Sequence, residues 1–106
     1  MQLEVTMEFS NELEPAELER LALLSEEMGE AQQVIGKIIR HGYESWDPTG
    51  QVRGTNQEQL VREIGDVTLA ISLLYQAEDI SHDDVDRRVL EKSEKVKQYL
   101  HHQPRL

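Results

Sequence analysis

Residues 15–41, PAELERLALLSEEMGEAQQVIGKIIRH, decide the fold. Leu18, Leu21, Leu24, Met28, Ala31, Ile35 and Ile38 recur at threes and fours across this stretch, the spacing of one helix face held for some seven turns. Asn11 with Glu14 and Pro15 marks its start, because proline is comfortable in a first turn. Gly42 ends it. Gly29 and Gly36 lie inside, and each costs about 1 kcal/mol against alanine. The sequence therefore leads us to expect another backbone or a ligand close by.

Residues 42–56, GYESWDPTGQVRGTN, follow with three glycines, a proline and the single tryptophan. This is a loop, long for so small a chain, and long loops are disproportionately functional. Thr55 with Glu58 reads as a capping box opening a second helix. Its apolar positions, Leu60, Val61, Ile64, Val67, Ala70, Ile71 and Leu74, nearly encircle the later turns, as expected of a central helix buried on several sides. AEDIS (77–81) is a turn, and Ser81 with Asp84 a second capping box. A third helix over about 82–101 is expected to turn Val85, Val89, Val96 and Leu100 inward. The opening MQLEVTMEFS suits an extended arm or a short N-terminal helix. No internal repeat or low-complexity segment stands out.

The expected architecture is thus all-α: one domain over residues 1–106, an antiparallel bundle of three long helices completed by pairing into a homodimer or homotetramer. Only five of the 106 residues are aromatic, so the core must be aliphatic. The net charge of −10 argues against a nucleic-acid or membrane-surface partner and is compatible with cations. The absence of cysteine excludes disulfides and thiolate zinc. Met1 opens an acidic, polar segment without the pattern of a secretory signal, and no apolar run approaches the ~18 residues of a membrane span. A cytoplasmic protein is the expectation.

The acids carry the chemistry. SEEMGEAQ (25–32) puts Glu26, Glu27 and Glu30 within five positions, and Glu63 and Asp66 interrupt the apolar row LVREIGDVTLAISLL. Glu27–Glu30 and Glu63–Asp66 share the i, i+3 interval, so each pair projects from one helix face. A single EExxE on a glutamate-rich helix is ordinarily a solvated face. ExxD among core-like neighbours is not explained that way. If the two helices pack antiparallel, four carboxylates converge, and a hard divalent cation resolves their repulsion; all-oxygen ligands favour Mg²⁺ or Mn²⁺.

EExxE followed by ExxD also resembles the MazG-like, all-α nucleoside triphosphate pyrophosphohydrolases, over roughly residues 17–100. The resemblance implies Mg²⁺ on Glu27, Glu30, Glu63 and Asp66, and cleavage of an NTP or dNTP to a monophosphate and pyrophosphate. On that resemblance Glu27 would serve both the metal and the catalytic centre. Glu26, rotated about 100° around the helix, would then orient the attacking water as general base or complete a second metal site. The chain departs from the family in its spacing: 32 residues separate Glu30 from Glu63, at or beyond the long end of the usual range, with the excess in the Trp46 loop.

Lys37, two turns beyond Glu30 on the same face, is placed to reach substrate, or is a surface lysine with a buried stem. Lys92, Lys95 and Lys97 resemble a basic stretch of the family's last helix; Lys92 and Lys95 share a face and are the candidates for substrate binding. Trp46, with Tyr43 and Arg53, either stacks on a base or closes over the site, or else Trp46 anchors the loop. His101 and His102 are adjacent, face different ways, and make a poor metal pair.

Three other readings compete. A di-iron bundle requires ExxH, which occurs nowhere in the chain. Another superfamily member, dUTPase-like or a phosphoribosyl-ATP pyrophosphatase, would cut the same kind of bond. The non-enzymatic alternative is an acidic helical adaptor.

Overall fold

The computed structural model describes residues 10–104; the expected N-terminal arm or short helix, residues 1–9, lies outside them. The described chain is all-helical, with three helices in the order α1 (Pro15–His41), α2 (Asn56–Gln76) and α3 (His82–Val96). None is long and apolar enough to cross a membrane.

Helix ends follow local chemistry. The Glu14 N–H donates to Glu17 Oε1 at 2.8 Å, and Pro15 opens α1. At the other end the Gly42 N–H donates to the Ile38 carbonyl at 2.7 Å. Gly42 has φ 86° and ψ 168°, a region open essentially to glycine alone. Thr55 and Glu58 form the expected capping box. Ser81 Oγ accepts the Asp84 N–H at 3.2 Å, without the reciprocal half of a box.

The long loop is folded upon itself. Asp47 accepts from the N–H groups of Thr49 and Val52 and from Thr49 Oγ1, which holds its carboxyl below the usual aspartate range. Trp46 and Thr55 pair in an antiparallel bridge. Asn56 Nδ2 donates to the Gly42 carbonyl at 3.1 Å, closing the loop at its base.

α1 and α2 form an antiparallel hairpin. Gly42 meets Asn56 at the loop end, and at the far end Arg20 grips Asp79 through two bonds, Nε–Oδ2 at 2.6 Å and Nη2–Oδ1 at 3.0 Å. Ala31, Val34, Ala70 and Leu74 are the buried apolar residues between them. α1–α2 is the one extensive helix–helix contact among the described residues.

Several inward positions expected from the sequence are therefore corrected for the single chain. Leu18, Leu21, Met28, Ile35, Val61 and Ile64 are exposed, because they lie on helix faces turned away from the hairpin seam. α2 is not enclosed on several sides; it has one principal neighbour. α3 buries no residue, with Val89 57% exposed, and Leu100 is exposed as well. α3 also ends at Val96 rather than near 101. Without packing to support another regular turn, the chain mixes i→i+3 bonds, Gln98 N–H to Lys95 and Tyr99 N–H to Val96, with one i→i+4 bond, Leu100 N–H to Val96.

A methyl group added at Gly29 would meet no neighbouring atom within 4 Å, and one at Gly36 would make only an ordinary contact with Arg40. The close approach expected at these glycines is thus not made within one chain. The radius of gyration, 19.8 Å, far exceeds the roughly 13 Å of a compact chain this long.

Arg20 holds the Asp79 carboxyl below the usual aspartate range. A depressed folded-state pKa stabilises above the unfolded value, about 3.9, and that contribution is lost as pH falls through the folded value. Asp79→Asn should melt a few degrees below the parent at pH 7. The gap should close as pH drops below about 3.9, read by circular dichroism melts at both pH values.

Candidate metal centre

α1 contributes Glu27 and Glu30, and α2 contributes Glu63 and Asp66. The antiparallel register sets the two pairs opposite each other, and one carboxylate oxygen from each of the four lies within 4.8 Å of the others. Glu27, Glu30 and Glu63 are half-buried, while Asp66 is exposed and marks the open side.

Their electrostatics show the strain of this proximity. The Glu27 carboxyl is pushed up first by burial, then by the charges of Glu30, Asp66, Glu63 and Glu26. Glu63 is pushed up by burial, by Glu30 and Asp66, and by hydrogen bonding with Glu30, against a small opposing effect of Arg62. None of the ion pairs among the described residues includes any of the four acids. Glu27 Oε2 and Glu63 Oε2 are buried without a hydrogen-bond partner.

Two buried, unpartnered acceptors in a four-carboxylate cluster suit a hard divalent cation. Mg²⁺–oxygen bonds of about 2.1 Å place opposite ligands about 4.2 Å apart, so these side chains need only small adjustments. The donor set fits the ion.

The other expected site residues fall in three places. Glu26 is exposed beside Glu27 and outside the four-oxygen group. Lys37 and Trp46 share one concavity of about 230 Å³ with Arg40, His41, Asp47 and Asn56, at the loop end of the hairpin. Trp46 is 69% exposed, so it is not a buried anchor in the single chain. Lys92 and Lys95 are exposed on α3, which stands off the hairpin, and one chain does not bring them to the acids.

A larger concavity of about 800 Å³ lies at the α2–α3 corner around Tyr75, His82 and Arg88 and holds none of the four acids. It is the gap left where α3 turns away. His82, Asp83 and Asp86 cluster there as well, but all are exposed, and His82 lies edge-on to Tyr75 and within 3.6 Å of Asp86.

Sequence reading passed over two buried polar residues on the acid-bearing face of α2, Asn56 and Gln59. The signal was available: Asn56, Gln59, Glu63 and Asp66 follow one another at intervals of three, four and three, a polar stripe on a helix otherwise rich in aliphatics.

Mutual repulsion makes the metal-free cluster costly, so neutralising one acid should relieve it. Glu63→Gln should raise the melting temperature of the metal-free chain and remove the Mg²⁺-induced rise. In the parent, free Mg²⁺ at a hundred times its Kd should add about 2.7 kcal/mol. Thermal melts with and without chelator measure both.

No curated protein and no solved structure matches the chain. The family model described as the MazG nucleotide pyrophosphohydrolase domain matches residues 16–101, which include both acid pairs and all three helices but for Pro15. Two acid pairs on an antiparallel helical hairpin, within a match covering most of its length, place this chain in the MazG nucleotide pyrophosphohydrolase family.

Proposed function

We propose that the chain is a Mg²⁺-dependent nucleoside triphosphate pyrophosphohydrolase that cuts an NTP or dNTP between the α and β phosphates. The observation that carries this is the cluster of Glu27, Glu30, Glu63 and Asp66 with its two buried, unpartnered oxygens. Glu27, Glu30, Glu63 and Asp66 would hold Mg²⁺, or Mn²⁺ in its place, and the ion would supply the positive charge that neutralises phosphate oxygens and eases deprotonation of water.

The chain's own groups supply the rest. Glu26, exposed at the rim, accepts a proton from the attacking water as its oxygen bonds to the α-phosphorus. The bond from that phosphorus to the bridging oxygen breaks, and pyrophosphate leaves with the electron pair. Lys37 lies seven residues from Glu30, about 10 Å along α1, a distance on the scale of a nucleotide. Its ammonium meets phosphate charge, and the exposed Trp46 ring beside it offers a base a stacking face. Lys92 and Lys95 join the phosphates where α3, of the same or a second chain, folds over the site. The cysteine-free composition and nucleotide substrate suit the cytoplasm.

The working unit is a homodimer. At 100° per residue, Leu21, Met28 and Ile35 lie about 80–120° around α1 from Glu27. Ile64 and Ile71 lie about 80–100° around α2 from Glu63, in the same rotational sense. In an antiparallel pair both stripes then face one side of the hairpin, while Glu30 and Asp66 lean to the other. The accessible surface, 9206 Å², exceeds by about 3000 Å² that of a compact monomer of this mass. Obligate interfaces typically bury about 2,000–5,000 Å² counted over both partners, about 1,000–2,500 Å² per chain, so the excess on each chain is more than enough for one. A second copy laid on the apolar side would cover much of it.

A panel of NTPs and dNTPs, dUTP and phosphoribosyl-ATP included, scored for pyrophosphate with Mg²⁺, tests the activity. Glu63→Ala and Asp66→Ala should each lower turnover by more than about a hundredfold. Full activity in either variant refutes the metal assignment. No pyrophosphate from any nucleotide, with no Mg²⁺-dependent stabilisation, leaves the adaptor.

Light scattering tests the assembly. The parent should show at least twice the 12.3 kDa chain mass, and Met28→Glu combined with Ile64→Glu should dissociate it with loss of helicity. A parent that is monomeric and fully helical contradicts the dimer.

A further inference from the structure

Among the described residues, three buried side-chain polar atoms lack a hydrogen-bond partner: Glu27 Oε2, Glu63 Oε2 and Gln59 Nε2. The first two are acceptors, open to a cation or to a hydrogen-bond donor. The third is a donor, and no cation can satisfy it.

Gln59 is only 5% exposed, so water does not serve its amide. Its two N–H groups require acceptors from the protein or from something bound. A direct contact with substrate is disfavoured, since the amide nitrogen itself is buried. Gln59 stands one turn before Glu63 on the same face of α2, the i, i+4 interval at which side chains on a helix meet. A buried donor without an acceptor and a buried acceptor without a donor thus sit one turn apart.

We propose that Gln59 is a positioning residue for the metal ligand Glu63. With an ion bound, one Glu63 oxygen faces the metal and the Gln59 amide donates to the other, fixing the carboxylate's orientation. Residue type supports the role. A glutamine donates without adding charge, whereas lysine or arginine there would neutralise the acids and compete with the ion. An asparagine would be one methylene shorter. This inference rests on the metal reading of the acid cluster, and the experiment separates the two.

Calorimetric titration with Mg²⁺ and Mn²⁺ compares the parent with Gln59→Met, which keeps the length of the side chain and removes the donor. Ion affinity should fall about 10–100-fold. The metal-free melting temperature should hold or rise, because an unsatisfied buried donor has gone. A merely structural glutamine would give the reverse: a lower metal-free melting temperature and unchanged affinity. That result, or parental affinity in the variant, overturns the proposal. A parent that binds neither ion brings down the metal reading, and this proposal with it. Should Gln59→Met not fold, the side-chain amide of Gln59 in the ¹⁵N-labelled parent decides. One amide proton must move downfield on Mg²⁺ addition, along the binding curve; a resonance that stays in place overturns the assignment.

Discussion

Two pairs of carboxylates facing each other across one helical seam constrain everything else in this chain. Seams between helices are normally closed by apolar side chains, and this one is closed by Ala31, Val34, Ala70 and Leu74. Glu27 and Glu63 interrupt the same seam, and both carry an oxygen that neither water nor a donor reaches. Small alanines on each helix let the axes approach closely, which raises the repulsion between the acids instead of relieving it. Such a seam costs stability by itself and is useful only to something that brings positive charge. The membership of the chain in a nucleotide pyrophosphohydrolase family gives that cost a purpose.

The clamps at either end of the hairpin follow from the same constraint. Helices bearing opposed acids would splay unless held, and the two ends are held by polar bonds. At one end Arg20 takes Asp79 in a two-bond grip; at the other Asn56 reaches the Gly42 carbonyl and the loop folds on Asp47. Register is the result. A slip of one residue along either helix would rotate one acid pair by about 100°, out of reach of the other.

Local chemistry made the helix starts and the end of α1 legible in the sequence. Pro15, Gly42 and the Thr55–Glu58 box act through their own neighbours, and α1 spans Pro15–His41 as the spacing predicts. The acid pairs were legible for the same reason, since an i, i+3 interval on a helix is a statement about one face. Burial was less so. Periodicity finds which faces are apolar and is silent on what covers them: Met28 and Ile64 belong to stripes as regular as that of Ala31 and Val34, yet they face away from the seam. The reach of α3 was overestimated because its spacing continues to Leu100 while its packing does not. Arg20–Asp79 spans 59 positions, and no local pattern announces so distant a pair. Gln59 is a different case: its place in the Asn56–Asp66 stripe is visible in the sequence, but an uncharged amide carries no signal of its own beside four acids.

In the proposed homodimer, assembly and chemistry are kept apart by the helical wheel. Counting from Glu27 and Glu63, the apolar stripes turn one way and Glu30 with Asp66 the other, so covering the first need not close the second. A hairpin that stayed alone would leave its aliphatic side in water and retain too little core to offset the ordering of a hundred residues. One that buried the acid side in its interface would leave a triphosphate no way in. The arrangement of residues around two helices leaves a third course, that of the proposed homodimer: a partner would supply the stability that the acids subtract, from the side where it does not obstruct them.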